Sequence, residues 1–337
     1  MGSSAEPESF KNKLFQMKKS LVSWSLLLAC NLMWALQFTC IKLVQDQVGG
    51  YFTVWAPMTL ATIFLIPFIL KAKGEKRKFS WTEVKTYLPL ALFGVLPAQV
   101  LMTWGTQFSL ASNAAIITLA LPPLSALLAY LILKEKMTPA RWISFAIAIA
   151  GVVLCSTGDL KSLDFGSNYA LGNLLIFLAV LGNAFYNTGA KKISTRYTEI
   201  EMVFFTYIFV ITLLFPLVMY YESDIFARIP DFTTQTWIGL GLLTFFHNFL
   251  SMVLFFKALK VLDATQVALS NYLITFFGLP VAAIWLGEKL GFWTIIGGML
   301  VLSGTVIITL WEHKTNKAAA EALRLSKEPE NIAVKNK

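Results

Sequence analysis

Polar side chains recur inside otherwise apolar stretches of this chain, at spacings that place them on one face of a helix. The clearest series is Thr244, His247, Asn248 and Ser251. Because a polar group in an apolar environment is costly, such series turn toward a ligand or toward one another. The candidate substrate-binding residues chosen on this basis are Asn31, Trp34, Gln37, Gln99, Thr103, Asn183, Tyr186, Asn187, His247, Asn248, Ser251, Asn271 and Tyr272.

Two other interpretations of these residues compete with ligand binding. Asn, Ser and Thr side chains also join membrane helices by hydrogen bonds of about 0.6 kcal/mol each, with no ligand involved. Alternatively, His247 and Ser251 would suit a base and a nucleophile, but that chemistry needs a third group to orient the base. The carboxylates that could do so lie at the ends of apolar runs, and the sequence holds no metal-ligand cluster or phosphate-binding loop. We therefore predict a binding site with no catalytic residue, no metal and no cofactor.

The elements that carry these residues are membrane helices. Hydrophobic residues make up 56% of the chain and charged residues 14%, against about 25% charged in an ordinary soluble domain. Apolar runs of about 20 residues recur, each long enough to cross a hydrocarbon layer of about 30 Å. The runs predict spans near 21–43, 52–70, 87–107, 112–133, 140–157, 169–190, 201–221, 237–257, 265–286 and 292–311.

The spans form two copies of one unit. The stretch 112–154 reappears in degenerate form at 265–307, and a constant offset of 153 residues pairs Ala111 with Ala264, Glu135 with Glu288 and Gly151 with Gly304. Five spans is an odd number, so the second copy must enter the membrane inverted, which places a site at the midplane between the copies. The predicted fold is an all-α integral membrane protein of ten transmembrane helices in two inverted five-helix repeats.

The predicted organisation follows from these boundaries. A cytoplasmic amino-terminal segment (1–20) precedes the first copy (21–157), an outside linker (158–168) and the second copy (169–311), and a cytoplasmic tail (312–337) ends the chain. The offset also aligns Asn31 and Trp34 with Ala184 and Asn187, so the polar series of spans 1 and 6 correspond. That correspondence favours one shared cavity.

Positive charge sets the orientation. With the amino terminus inside, all but four of the 28 Lys and Arg residues fall on inside segments. The exceptions are Lys42, Lys161, Arg228 and Lys289. Both termini are therefore predicted to be cytoplasmic, and the net charge of +9 reflects topology and anionic lipid rather than nucleic-acid binding. The predicted partners are a small-molecule metabolite and the lipid bilayer, with a homodimer left open, and the short amino-terminal segment favours a bacterial inner membrane.

The doubled pattern LASNAAIITLALPPLSALLAYLILKEK and ALKVLDATQVALSNYL, with GEKL and GGMLVLSGTVI after it, resembles the paired EamA domains of the drug/metabolite transporter superfamily. The opening span NLMWALQFTCIKLV is similar to that family's first helix. The resemblance implies a central cavity lined mainly by spans 1, 3, 4, 6, 8 and 9, and a cargo such as an amino acid, another metabolite or a drug. Thr275–Phe276 replace Pro122–Pro123 in the second copy, so the two corresponding helices are expected to bend differently.

The sequence therefore predicts a secondary transporter that moves a small polar metabolite by alternating access through a midplane cavity. A membrane scaffold or sensor that does not transport, and a passive channel, are the alternatives. The pairs Glu135–Lys136 and Glu288–Lys289 sit at hairpin turns on opposite faces, where we expect them to orient the hairpins or act as gates.

Overall fold

The chain folds into helices throughout the part that the structure describes. The computed structural model describes residues 6–71, 80–134, 137–157, 169–193, 196–259, 270–304, 306–307, 310–311 and 314, and it holds no strand within them. The helices are α1 (Glu6–Val44), α2 (Gly50–Lys71), α3 (Trp81–Phe108), α4 (111–133), α5 (Pro139–Thr157), α6 (Ala170–Ile193), α7 (Glu199–Tyr221), α8 (234–259), α9 (Tyr272–Leu286) and α10 (Phe292–Gly304), with a short helix Ile225–Arg228 between α7 and α8.

The helices have the length and surface that a bilayer requires. Among the described residues, seven are apolar over enough length to cross a membrane, and α5, α9 and α10 are shorter apolar helices. Large apolar side chains cover their outer surfaces, including Ile284 at 86% exposure and Phe292 at 69%. Such a surface suits lipid and not water. The prediction of an all-helical membrane protein is confirmed.

Several helices carry their own start signals. Ser80 and Glu83 form a reciprocal capping box at the start of α3, and Thr198 and Glu201 form another at the start of α7. The Thr233 side chain accepts a hydrogen bond from the Thr236 N–H at the start of α8. These caps satisfy backbone donors that a helix leaves unpaired in its first turn.

Three helices are interrupted along their length. α3 passes through a π-helical turn at Ala91–Val95, and α8 through a longer π-helical stretch at Leu243–Leu250. Since the 153-residue offset places 91–95 on 244–248, both copies are widened at the same point. α4 tightens into a 3-10 turn at Thr118–Ala120, directly before the residues that include Pro122 and Pro123, which lack backbone donors. α9 is continuous through Pro280, but it begins at Tyr272, which the offset equates with Leu119, and most of the stretch equivalent to the start of α4 lies outside the described residues; the expected difference in bend therefore stays a prediction.

Helix contacts in one copy have counterparts in the other. α1 packs on α8 and α9, and its equivalent α6 packs on α3 and α4. The pairs α2–α7 and α4–α9 join equivalent helices directly. Helices α4 and α9 also end alike: each is followed by a residue in the left-handed conformation, Lys134 (φ 59°) and Gly287 (φ 67°), at positions that the offset equates.

Close glycine contacts join α5 to α10 in the same reciprocal way. A Cβ atom on Gly151 would lie 2.6 Å from the carbonyl oxygen of Gly297, and one on Gly304 would lie 2.9 Å from that of Ser144. The offset turns position 144 into 297 and 151 into 304. The contact of Gly151 on α5 with Gly297 on α10 is therefore matched by the contact of Gly304 on α10 with Ser144 on α5.

Candidate functional site

Five of the sequence-predicted residues surround one cavity between α1, α2, α3 and α8. Its polar wall is formed by Gln37, Gln99, Thr103, His247 and Asn248, and Thr53 adds a hydroxyl. The remaining wall is apolar: Ile41, Val54, Met58 and Leu243. No lining side chain is charged.

The cavity is almost closed in this conformation. Its volume is about 10 Å³, close to the minimum that one water molecule needs and far below the about 300 Å³ of a small ligand pocket. The site therefore holds the polar groups of a binding site without the space for a metabolite. Binding one requires the surrounding helices to move apart.

Hydrogen bonds join the polar wall across helices. Gln37 Nε2 on α1 donates to Gln99 Oε1 on α3 at 3.2 Å. Thr103 is turned back on its own helix, where its hydroxyl donates to the Gln99 carbonyl at 2.9 Å. Gln37 and Gln99 thus join α1 to α3 across the cavity wall.

The π-helical stretch of α8 presents His247 and Asn248 to the cavity. Asn248 Nδ2 donates to the Leu243 carbonyl at 2.9 Å. The π-helical backbone bond is made by the Ser251 N–H, which donates to the Phe246 carbonyl five residues earlier. The Tyr207 hydroxyl on α7 donates toward the carbonyl and Oδ1 of Asn248, at 3.2 and 3.4 Å. π-helical turns are frequent at functional sites because they re-aim side chains within a helix.

Trp34 and Ser251 form a second polar contact beside the cavity. Trp34 Nε1 donates to Ser251 Oγ at 3.0 Å, and the indole packs on Phe255 with ring centroids 5.0 Å apart. The Ser251 hydroxyl in turn donates to the carbonyl of His247, not to its imidazole. The arrangement is that of a helix contact and not that of a nucleophile with its base.

Three buried polar atoms among the candidates have no hydrogen-bond partner: Asn31 Oδ1, His247 Nδ1 and Asn271 Oδ1. A buried unsatisfied polar group costs about 1–3 kcal/mol. Of these three residues, His247 lines the cavity, and its Nδ1 is the atom without a hydrogen-bond partner. This atom is therefore able to form a hydrogen bond with water or with a ligand.

The remaining candidates are not among the residues that line this cavity. Asn31 is fully buried and donates to the Leu27 carbonyl of its own helix at 2.9 Å. On α6, Asn183 is half-buried, Asn187 is exposed, and the Cβ atom of Tyr186 would lie 3.0 Å from a Cβ on Gly94. Asn271 precedes α9; Tyr272 begins it, and its side chain lies outside the described part of the structure.

Two residues of the site were missed by the sequence reasoning, Thr53 and Tyr207. Thr53 stands alone in α2 with no polar residue one turn away, and its hydroxyl donates to the Gly49 carbonyl at 2.8 Å. Tyr207 lies in the apolar run FFTYIFV. Neither forms part of a polar series, so the contribution of α2 and α7 had no periodic signal.

Comparison with known proteins agrees with this architecture. The profile of the EamA-like transporter family matches residues 22–157 and again residues 170–310. The chain belongs to the EamA-like transporter family. This EamA-like protein is accordingly a multi-pass membrane transporter and not an enzyme.

Individual relatives of this EamA-like transporter include two with a stated cargo. It is 27% identical to a probable terminal-alkyne amino-acid exporter of Streptantibioticus cattleyicolor, over 87% of this chain and 94% of that protein. It is 24% identical to an S-adenosylmethionine uptake transporter of Rickettsia prowazekii, over 83% of this chain and 90% of that protein. A solved crystal structure that is 13% identical superposes with a TM-score of 0.60, covering 89% of this chain and 99% of the other, and so shares the fold.

Proposed function

We propose that this EamA-like transporter is a secondary carrier that moves a small, amino-acid-like metabolite by alternating access between two inverted five-helix repeats. The repeats are the first copy (21–157) and the second copy (169–311), with ten spans and both termini in the cytoplasm of a bacterial cell. The observation that carries the proposal is the reciprocal contact of Gly151 with Gly297 and of Gly304 with Ser144. A two-fold relation between inverted copies gives contacts of this kind, because each copy presents the same surface to the other.

The partner exchange among the other helices supports the same relation. Helix α1 of the first copy packs on α8 and α9 of the second copy, and its equivalent α6 of the second copy packs on α3 and α4 of the first. Rocking one copy against the other exchanges such equivalent contacts at nearly equal free energy, so the site can open to alternate sides.

The chemistry of the cavity favours a small neutral or zwitterionic cargo. Its polar wall is made of three side-chain amides, two hydroxyls and an imidazole, with no fixed charge to select an anion or a cation. The two relatives described above, an amino-acid exporter and an S-adenosylmethionine uptake transporter, both handle a molecule that carries an amino-acid group. An amino-acid-like substrate therefore fits both the wall and the relatives.

The closed, interrupted cavity favours a carrier over a passive channel. A channel needs a continuous polar lining, whereas Ile41, Met58 and Leu243 break the lining here. A scaffold or sensor would show no flux at all. Uptake of radiolabelled amino acids and related metabolites into proteoliposomes tests this: the carrier predicts saturable uptake of at least one compound above protein-free vesicles. Absence of uptake of every α-amino-acid compound would contradict the proposed cargo.

A further inference from the structure

Two helices of the first copy are capped by carboxylates of the second copy. Glu222, which follows α7, accepts from the backbone N–H groups of Tyr51 (3.0 Å) and Phe52 (2.7 Å) at the start of α2. Glu288, which follows α9, accepts from those of Ala111 (2.8 Å) and Ser112 (2.9 Å) at the start of α4. In both cases, each carboxylate oxygen takes one of two successive amides.

These helices have no adequate cap of their own. The residue before α4 is Leu110, which offers no side-chain hydrogen bond, and the residue before α2 is Gly49. By contrast, α3, α7 and α8 are capped by Ser80, Thr198 and Thr233 from the same copy. A carboxylate at a helix N-terminus is a strong acceptor because it meets both free N–H groups and the positive end of the helix dipole.

The two caps that the second copy supplies to the first, which we call borrowed caps, lie on one face of the helix bundle. α2 and α4 begin there, and α1, α3, α7 and α9 end there; we call it the Gly50 face. Gly49 is packed against the Glu222 carboxyl, since a Cβ at that position would lie 2.3 Å from it. Ala111 and Ser112 are each 1% exposed, so their amides have no solvent to replace the carboxylate while the face is closed.

We propose that Glu222 and Glu288 form a two-point lock that holds the Gly50 face of the carrier closed. This inference rests on the proposed alternating access. Any movement that separates the copies at this face must break both borrowed caps, whereas the caps within one copy move with their helices. Water then reaches the freed amides and carboxylates, which makes the opening reversible.

A reporter cysteine in the cavity wall tests the lock without any substrate. The background replaces Cys30, Cys40 and Cys155 with Ser and introduces Thr103→Cys, a position that is 2% exposed and lines the cavity. A membrane-impermeant thiol reagent is applied to the Gly50 face of oriented vesicles, and labelling is normalised to the same protein unfolded in detergent. Glu288→Gln and Glu222→Gln keep the side-chain shape and remove the charge.

We expect each single variant to raise the labelling rate about tenfold, which corresponds to about 1.4 kcal/mol, and the double variant to raise it further. Asp224→Asn is the matched control: it removes an exposed carboxylate of the same segment whose described ion pair is with Arg228, four residues on. We expect it to leave labelling within about twofold of the parent, a change below about 0.4 kcal/mol.

A second variant tests the amide side of the lock. Ala111 is the first residue of α4, where proline is tolerated, and Leu110 before it has the extended backbone that proline requires (φ −94°, ψ 147°). Ala111→Pro removes one N–H donor and leaves Glu288 in place, so it should also raise labelling in protein that elutes as a single species.

Unchanged labelling in all four variants, or an equal rise in Asp224→Asn, would overturn the lock. The outcome is independent of transport, because the assay contains no cargo. A parent protein that transports nothing would count against the proposed function instead.

Discussion

Replacing Gly151 with alanine should weaken the packing of α5 on α10. The added methyl group would lie 2.6 Å from the Gly297 carbonyl oxygen, 2.6 Å from Val301 Cγ2 and 2.8 Å from the Val301 nitrogen. Carbon atoms prefer separations of about 3.5–4.0 Å, and two of these three neighbours are backbone atoms that cannot rotate away. Overpacking of this kind costs about 1–3 kcal/mol.

Gly241→Ala in α8 provides the control, because nothing lies within 4 Å of a Cβ at that position. Alanine gains about 1 kcal/mol over glycine in a helix interior. Both variants receive that gain, so the difference between them isolates the steric cost. We expect Gly151→Ala to be about 1–3 kcal/mol less stable than Gly241→Ala, and Gly304→Ala to fall between them because its nearest contact is 2.9 Å.

The order of stability is measured by heating the purified variants in one detergent and recording, at each temperature, the fraction that still elutes as monodisperse protein. Equal midpoints for Gly151→Ala and Gly241→Ala would refute the close contact of α5 and α10, and with it the reciprocal glycine pairs.

Three further predictions concern topology, the site and coupling. Arg77→Cys should be shielded from an impermeant thiol reagent added outside cells and Ser162→Cys should be labelled; outside labelling of residue 77 would contradict the inverted repeats. Asn248→Leu has a similar volume but removes the bond to the Leu243 carbonyl and one of the two acceptors of the Tyr207 hydroxyl, the side-chain Oδ1; the backbone carbonyl remains. Transport should therefore fall about tenfold while the protein still inserts. Asn31→Leu should also impair transport, and normal transport by both would reduce the polar series to hydrogen bonds between helices. Transport should persist in vesicles without a pH gradient or membrane potential. His247→Gln should alter only the pH dependence of transport, because histidine is the one side chain of the cavity wall that ordinarily titrates near neutral pH. Strict dependence of transport on a proton gradient that survives His247→Gln would contradict this.

Helix type and approximate extent could be predicted because apolar length is a local property of the sequence. The span predicted near 237–257 falls inside α8 (234–259), and that near 52–70 falls inside α2 (Gly50–Lys71). The span predicted near 87–107 missed the first residues of α3, because the stretch from Trp81 includes Glu83 and Lys85 and is less apolar.

The site was only partly predictable because its wall depends on how the helices are rotated and joined. Periodic polar residues led to Gln37, Gln99 and His247, whereas Thr53 enters the wall only because α2 packs against α8. The π-helical turns have no residue signature that announces them; in α8 the Asn248 side chain bonds the Leu243 carbonyl five residues back. Likewise, Glu288 was recognisable as a charge at a hairpin turn, but its partners on α4 follow from tertiary packing alone.

Countertransport is the most direct test of a carrier with one site that faces alternate sides. Proteoliposomes are preloaded with an unlabelled substrate found in the uptake screen, diluted into labelled substrate, and compared with vesicles loaded with buffer. The account predicts faster uptake and a transient accumulation of label in the preloaded vesicles, because a loaded site returns on each cycle. Equal initial rates that rise linearly with substrate concentration would contradict alternating access and indicate a channel.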